Sequence, residues 1–188
     1  MMDERDLAER LMAYDTSHPA GITTAVSFLK GWLESNSFQI EELDVAGLPV
    51  LVTSTGGSGP VLTFHGHIDV VPGKPGQFKP RVDGDALIGR GAYDMKAALA
   101  AMMCAMRDLR DEPGVEVRFV CVADEESESM GVRGTDVIVE RGYGGDFAIT
   151  GEPTNLHVGI EAKGVLALRL TVTGTAAQFP AEHGRLAA

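Results

Sequence analysis

The chain has 188 residues, about the size of one domain. Hydrophobic residues make up 44% and charged residues 23%, enough apolar side chains to build a core, which excludes a disordered or fibrous chain. With 27 Asp and Glu against 16 Lys and Arg, the formal charge is −11, so nucleic acid and anionic membrane surfaces would be repelled rather than gathered.

The acidic N-terminus, Met1-Met2-Asp3-Glu4-Arg5-Asp6, lacks the basic start and apolar stretch of a secretory leader. Apolar residues recur at helical spacing from Leu7 through Leu11 to Tyr14, and from Ile22 through Val26 and Leu29 to Leu33, predicting two helices. Strands are expected over 38–45 and 50–53, with Gly56-Gly57-Ser58-Gly59-Pro60 as a hairpin turn, since its spacing does not fit a phosphate loop. A nearly continuous buried-strand pattern follows over 61–71, with His65, His67 and Asp69 intruding in its second half. Asp83-Gly84-Asp85 marks a further turn. Asp94 stands just before a strong Ala/Leu/Met helix over 95–109, where its carboxylate is placed to cap the helix.

Residues 97–106 form the longest apolar run, far short of the roughly 18 residues needed to cross a bilayer, so a cytoplasmic protein without a membrane span is expected. A third buried strand over 115–122 ends in Asp124-Glu125-Glu126. A helix over 135–141, a short strand over 147–150 running into Gly151-Glu152-Pro153, and a strand over 165–173 complete the pattern. Cys104 and Cys121 form no CxxC pair and read as buried thiols. Strands alternating with helices predict an α/β domain, a mainly parallel central sheet flanked by helices, with its sites at the carboxyl ends of strands.

Acid and imidazole groups collect at those strand ends: His67 and Asp69, then Glu125 and Glu126, then Glu152, joined by Asp94 at a helix start. On a strand of period two, His65, His67 and Asp69 share a face, so a carboxylate can brace an imidazole across one residue. Several carboxylates at one sheet edge repel one another unless a cation lies among them, and zinc accepts both imidazole nitrogen and carboxylate oxygen. Taken singly, each group has an ordinary explanation: a satisfied buried pair for His67-x-Asp69, a surface loop for Glu125-Glu126, a helix cap for Asp94. Their joint occurrence at successive strand ends favours a metal site. His18 and His157 have no partner at ligand spacing and read as loop histidines.

Four motifs occur in order: His65-Gly66-His67-Ile68-Asp69-Val70-Val71-Pro72, Gly89-Arg90-Gly91-Ala92-Tyr93-Asp94-Met95-Lys96, Ala123-Asp124-Glu125-Glu126 and Thr150-Gly151-Glu152-Pro153-Thr154. Together they resemble the co-catalytic zinc peptidase and deacylase family of acetylornithine deacetylase, succinyl-diaminopimelate desuccinylase, aminoacylase and glutamate carboxypeptidase. The resemblance runs from about Met1 to Gly174. It implies a hydrolase of amide bonds that releases an acyl group from an N-acyl amino acid, or cleaves a small peptide, by attack of a water bridging two divalent ions. Zinc is the expected metal, and cobalt or manganese would accept the same ligands. It further implies that Asp94 bridges the ions, His67 and Glu152 complete the first, Glu126 binds the second, Glu125 is the general base, and Asp69 orients His67.

The same resemblance implies a partial catalytic domain over 1–163 and the beginning of a small α+β lid or dimerisation domain over 164–188, so that the chain is truncated against the family. A distal His that completes the second metal has no counterpart, Gln178 stands where the lid's oxyanion-binding His is expected, and His183 is displaced. Completion by a homodimer partner or by a complementing C-terminal chain is one expectation. A catalytically silent, metal-stabilised fragment or assembly subunit is the rival, against which the retained Glu125 argues. Arg90, Lys96 and Lys163 are the remaining basic groups near the motifs and assign no substrate; Arg90 and Lys96 are each readable as a structural ion pair or a substrate contact.

Overall fold

The computed structural model describes residues 2–127, 131–161 and 170–171. The elements run α1 (Glu4–Met12), α2 (Pro19–Ser35), β1 (Ile40–Val45), β2 (Leu48–Ser54), β3 (Val61–His67), β4 (Arg81–Asp83), β5 (Ala86–Ile88), α3 (Lys96–Asp108), β6 (Glu116–Val122), α4 (Gly134–Glu140) and β7 (Phe147–Thr150). Two compact units result, Met1–Leu156 and His157–Ala188, and every one of these elements lies in the first. The described residues of the second unit are exposed and outside helices and strands. The strand expected over 165–173 falls almost wholly outside the described residues, as do Lys163, Gln178, His183 and the expected 163/164 boundary.

The two N-terminal helices form where their apolar spacing places them. In α1 the Asp3 carboxylate accepts from the Asp6 N–H at 2.8 Å, and Leu7, Ala8, Leu11 and Met12 are buried on one face. His18, read from sequence as a loop residue, caps α2: its Nδ1 accepts from the Gly21 N–H at 3.1 Å, and Pro19 opens the helix without needing a hydrogen-bond acceptor.

The central sheet has the strand order β1-β2-β6-β3-β7. Pairs β1/β2 and β2/β6 are antiparallel, β6/β3 and β3/β7 parallel, so β2 alone runs against the other four. Because β6 lies between β2 and β3, the Gly56–Gly59 turn joins strands that do not pair with each other. It is a crossover at the end of β2, not the hairpin expected; the local turn chemistry was legible but its partner was not. The 61–71 strand also ends early, at His67, since the chain leaves the ladder there.

β6 is buried on both sides. Val117, Phe119 and Cys121 pack with the helices α1, α2 and α3, while Val120 and Val122 pack with Ile138 of α4. Both cysteines are free and buried, as expected. Among the described residues, no helix is long and apolar enough to cross a membrane.

Gly66 on β3 permits the close approach that builds the site. A Cβ there would stand 2.5 Å from Met95 Cε and 2.9 Å from Leu99 Cδ2, both buried. Without it, α3 lies directly on the end of β3, and Asp94, just before the start of the helix, meets His67, the residue following the glycine.

Candidate metal centre

Three parallel neighbours, β6, β3 and β7, present their carboxyl ends side by side. His67 closes β3, Glu125 and Glu126 follow β6, and Glu152 follows β7. Asp94 precedes α3, but it is not the helix cap expected. Helix α3 begins at Lys96 with Met95 at the cap position and no side-chain cap bond, which leaves Asp94 one residue too far back. Its carboxylate turns to the imidazole instead.

His67 Nε2 lies 3.0 Å from Asp94 Oδ1 and 3.7 Å from Glu152 Oε1. The ring is 1% exposed, whereas the Asp94 and Glu152 side chains are 44% and 37% exposed, so a buried imidazole faces two half-exposed carboxylates open to solvent. One donor atom from each of the three residues falls within 4.8 Å of the other two. Nitrogen and oxygen ligands at about 2.1 Å around one ion stand roughly 3.4 Å apart, so these separations fit a single divalent cation.

On its other side the ring is fixed. Nδ1 donates to the Asp69 carbonyl at 3.0 Å, with Asp69 Oδ1 at 3.4 Å and otherwise unpartnered. The brace expected from the Asp69 carboxylate is thus shared with its backbone, because the chain has left the strand and the 65/67/69 face no longer holds. His65 contacts Thr135 Oγ1 of α4 at 3.0 Å. Asp69 Oδ2 accepts the Glu126 N–H at 2.8 Å, linking the loops after β3 and β6.

Glu125 is exposed, and Glu126 half-buried, both outside the three-residue cluster. They nevertheless belong to one electrostatic group. Burial, then Asp94 and Glu125, push the Glu126 carboxyl above its ordinary value; burial, with Asp94, Glu125 and Glu126 overriding the opposing His67, does the same to Glu152. Burial alone would lower His67, but the Asp69 hydrogen bond and the charges of Asp69, Glu152 and Glu125 raise it to about 9. An imidazolium shared among acids is what a metal-free site of this composition holds, and a divalent ion in its place answers the same negative charge.

The supporting contacts around these groups come from Arg133, which carried no sequence signal, and from residues within the motifs. Arg133 donates to the carbonyls of Asp124, Glu125 and Ser127 at 3.4, 2.7 and 2.9 Å, cinching the loop that bears both glutamates. Asp124 Oδ2 accepts the Gly134 N–H at 2.7 Å. The Tyr93 hydroxyl donates to Asn155 Oδ1 at 2.8 Å, tying the residue before Asp94 to the loop after Glu152. Lys96 is fully buried with its Nζ on the Tyr14 carbonyl at 2.8 Å, and Arg90 Nη2 reaches the Pro72 carbonyl at 3.3 Å. Both cations therefore serve backbone oxygens.

The profile of peptidase family M20/M25/M40 matches residues 63–186, a stretch that opens inside β3 and takes in all the candidate ligands. The chain belongs to that family. A succinyl-diaminopimelate desuccinylase of Rhizorhabdus wittichii is 35% identical over 170 residues, covering 84% of this chain and 44% of that enzyme. A [LysW]-lysine/[LysW]-ornithine hydrolase of Sulfurisphaera tokodaii is 40% identical over 119 residues, covering 63% and 32%. The chain thus spans less than half the length of these curated M20/M25/M40 relatives. The crystal structure of an M20 family metallo-carboxypeptidase from Sulfolobus solfataricus shares the fold, with a TM-score of 0.69 at 24% identity over 80% of this chain and 37% of that one.

Proposed function

We propose that this chain carries the metal centre of an amide hydrolase that releases the acyl group from an N-acyl amino acid, with N-succinyl-diaminopimelate as the first substrate to test. The observation that carries the reading is the convergence of His67 Nε2, Asp94 and Glu152 within 4.8 Å. The substrate class follows the names of the relatives, six of which are succinyl-diaminopimelate desuccinylases. A cytoplasmic location is part of the same reading, and the two free, buried cysteines support it.

His67, Asp94 and Glu152 would hold the first divalent ion, with zinc suiting their mixed nitrogen and oxygen donors. Asp94 is the carboxylate acting most strongly on both Glu152 and Glu126, which supports it as the group shared with a second ion on the Glu126 side. Bound there, divalent metal supplies Lewis acidity toward the scissile carbonyl and acidifies a water molecule. His67 keeps its Nε2 lone pair directed at the site because Nδ1–H is held by the Asp69 carbonyl. Glu125, exposed and outside the ligand cluster, takes a proton from the attacking water and delivers it to the leaving nitrogen.

The test is hydrolysis of N-succinyl-diaminopimelate by the zinc-loaded chain, compared with N-acetylornithine and dipeptides. Metal-dependent release of succinate supports the reading. Tight zinc binding with no hydrolysis of any of these amides would favour the silent scaffold instead.

A further inference from the structure

We infer that Thr16, in the turn between α1 and α2, is a positioning residue for this centre: it clasps the backbone on both sides of Asp69 and so fixes the group that orients His67. The inference rests on the reading of His67, Asp94 and Glu152 as metal ligands. Thr16 is fully buried. Its Oγ1 donates to the Ile68 carbonyl at 2.7 Å, and its own carbonyl accepts the Val70 N–H at 3.3 Å. Asp69 sits between these two anchor points, with its carbonyl on His67 Nδ1 and its Oδ2 on the Glu126 N–H.

The clasp acts where the sheet stops. Beyond β3 one sheet-like bond remains, Ile68 N–H to the Val122 carbonyl at 3.0 Å. From there the N-terminal turn supplies the partners. That turn is itself anchored, because Lys96 Nζ donates to the Tyr14 carbonyl at 2.8 Å. The lysine stem crosses Gly91, whose φ of +78° and lack of a side chain make the room: a Cβ there would stand 2.8 Å from Lys96 Cδ. Lys96 follows Asp94 by two residues, so a single turn ties the loop of Asp69 to the helix behind Asp94. The family match begins at residue 63 and does not include this turn.

A purely structural Thr16 would stabilise the fold without altering how the folded protein holds metal. Thr16→Val keeps the side-chain shape but leaves a buried carbonyl without its donor. Equilibrium dialysis of the metal-stripped full chain against Co2+, with the visible cobalt spectrum as a second readout, separates the two roles. Thr16→Val is expected to weaken cobalt binding by about tenfold and to alter the spectrum. Thr16→Ser restores both. Val26→Ala, a core truncation in α2, lowers the unfolding temperature and leaves affinity at the wild-type value. Wild-type affinity and spectrum in folded Thr16→Val overturn the inference while sparing the ligand reading. Absence of cobalt binding by the wild type overturns both. Should Thr16→Val be recovered unfolded, Thr16→Ala takes its place with the same outcomes.

Discussion

His67 Nε2 and Asp94 Oδ1 lie 3.0 Å apart although 27 positions separate them in the chain. One residue ends a strand and the other precedes a helix, and Gly66 lets those two elements touch. Removing Asp94 should therefore abolish tight metal binding and hydrolysis together. Glu125→Ala should retain the metal and lose turnover by about 100-fold or more, as expected for a missing general base. Zinc content and amide hydrolysis measured on both variants check this, and wild-type hydrolysis by Glu125→Ala would remove it from its role.

The metal-free protein should lose stability as pH rises above neutrality. His67 is raised from 6.5 to about 9, so its protonated form stabilises the fold fully below pH 6.5, and that contribution declines as pH climbs toward 9. Between pH 6.5 and 8 the loss should be about 2 kcal/mol. Lys96 has the opposite sign: burial lowers it to about 8, so the fold regains stability from its deprotonation only above that pH. Urea unfolding at pH 6.5 and 8 measures the first effect, and His67→Gln should flatten it.

Gly66→Ala should destabilise the metal-free protein by about 1–3 kcal/mol, because the added methyl crowds buried Met95 and Leu99. The same push moves α3 away from β3, so zinc affinity should fall with it. Chemical denaturation and zinc competition on one preparation test both. A variant with lower stability and unchanged affinity would break the link between this contact and the site.

Metal stoichiometry follows from the position of Glu126, outside the three-residue cluster. Calorimetric titration of the stripped chain with zinc should show one tight equivalent and a second, weaker one, because fewer protein ligands are gathered for it. Glu126→Ala should spare the tight equivalent.

Much of the candidate site was legible in the sequence because imidazole and acid groups at the ends of buried strands are chemically conspicuous. His67, Asp94 and Glu152 are polar groups where buried strands and a helix begin or end, and the structure gathers them. Asp94 shows the limit of local reading. Its position one residue before the expected helix looked like a cap, but the helix starts one residue later and the carboxylate meets His67 of β3 instead. The crossover at Gly56–Gly59 failed in the same way: the turn is local, whereas the insertion of β6 between β2 and β3 depends on residues sixty positions later. Thr16 and Arg133 act through backbone carbonyls distant from them in sequence or set in irregular loops, and a carbonyl leaves no trace in the identity of its residue.

The most direct test is a crystal of the chain grown with zinc, with anomalous difference density collected at the zinc edge. The expected result is a peak about 2.0–2.2 Å from His67 Nε2 and from carboxylate oxygens of Asp94 and Glu152. A map with no peak there, or with zinc bound only by other residues, would contradict the metal centre and the function built on it.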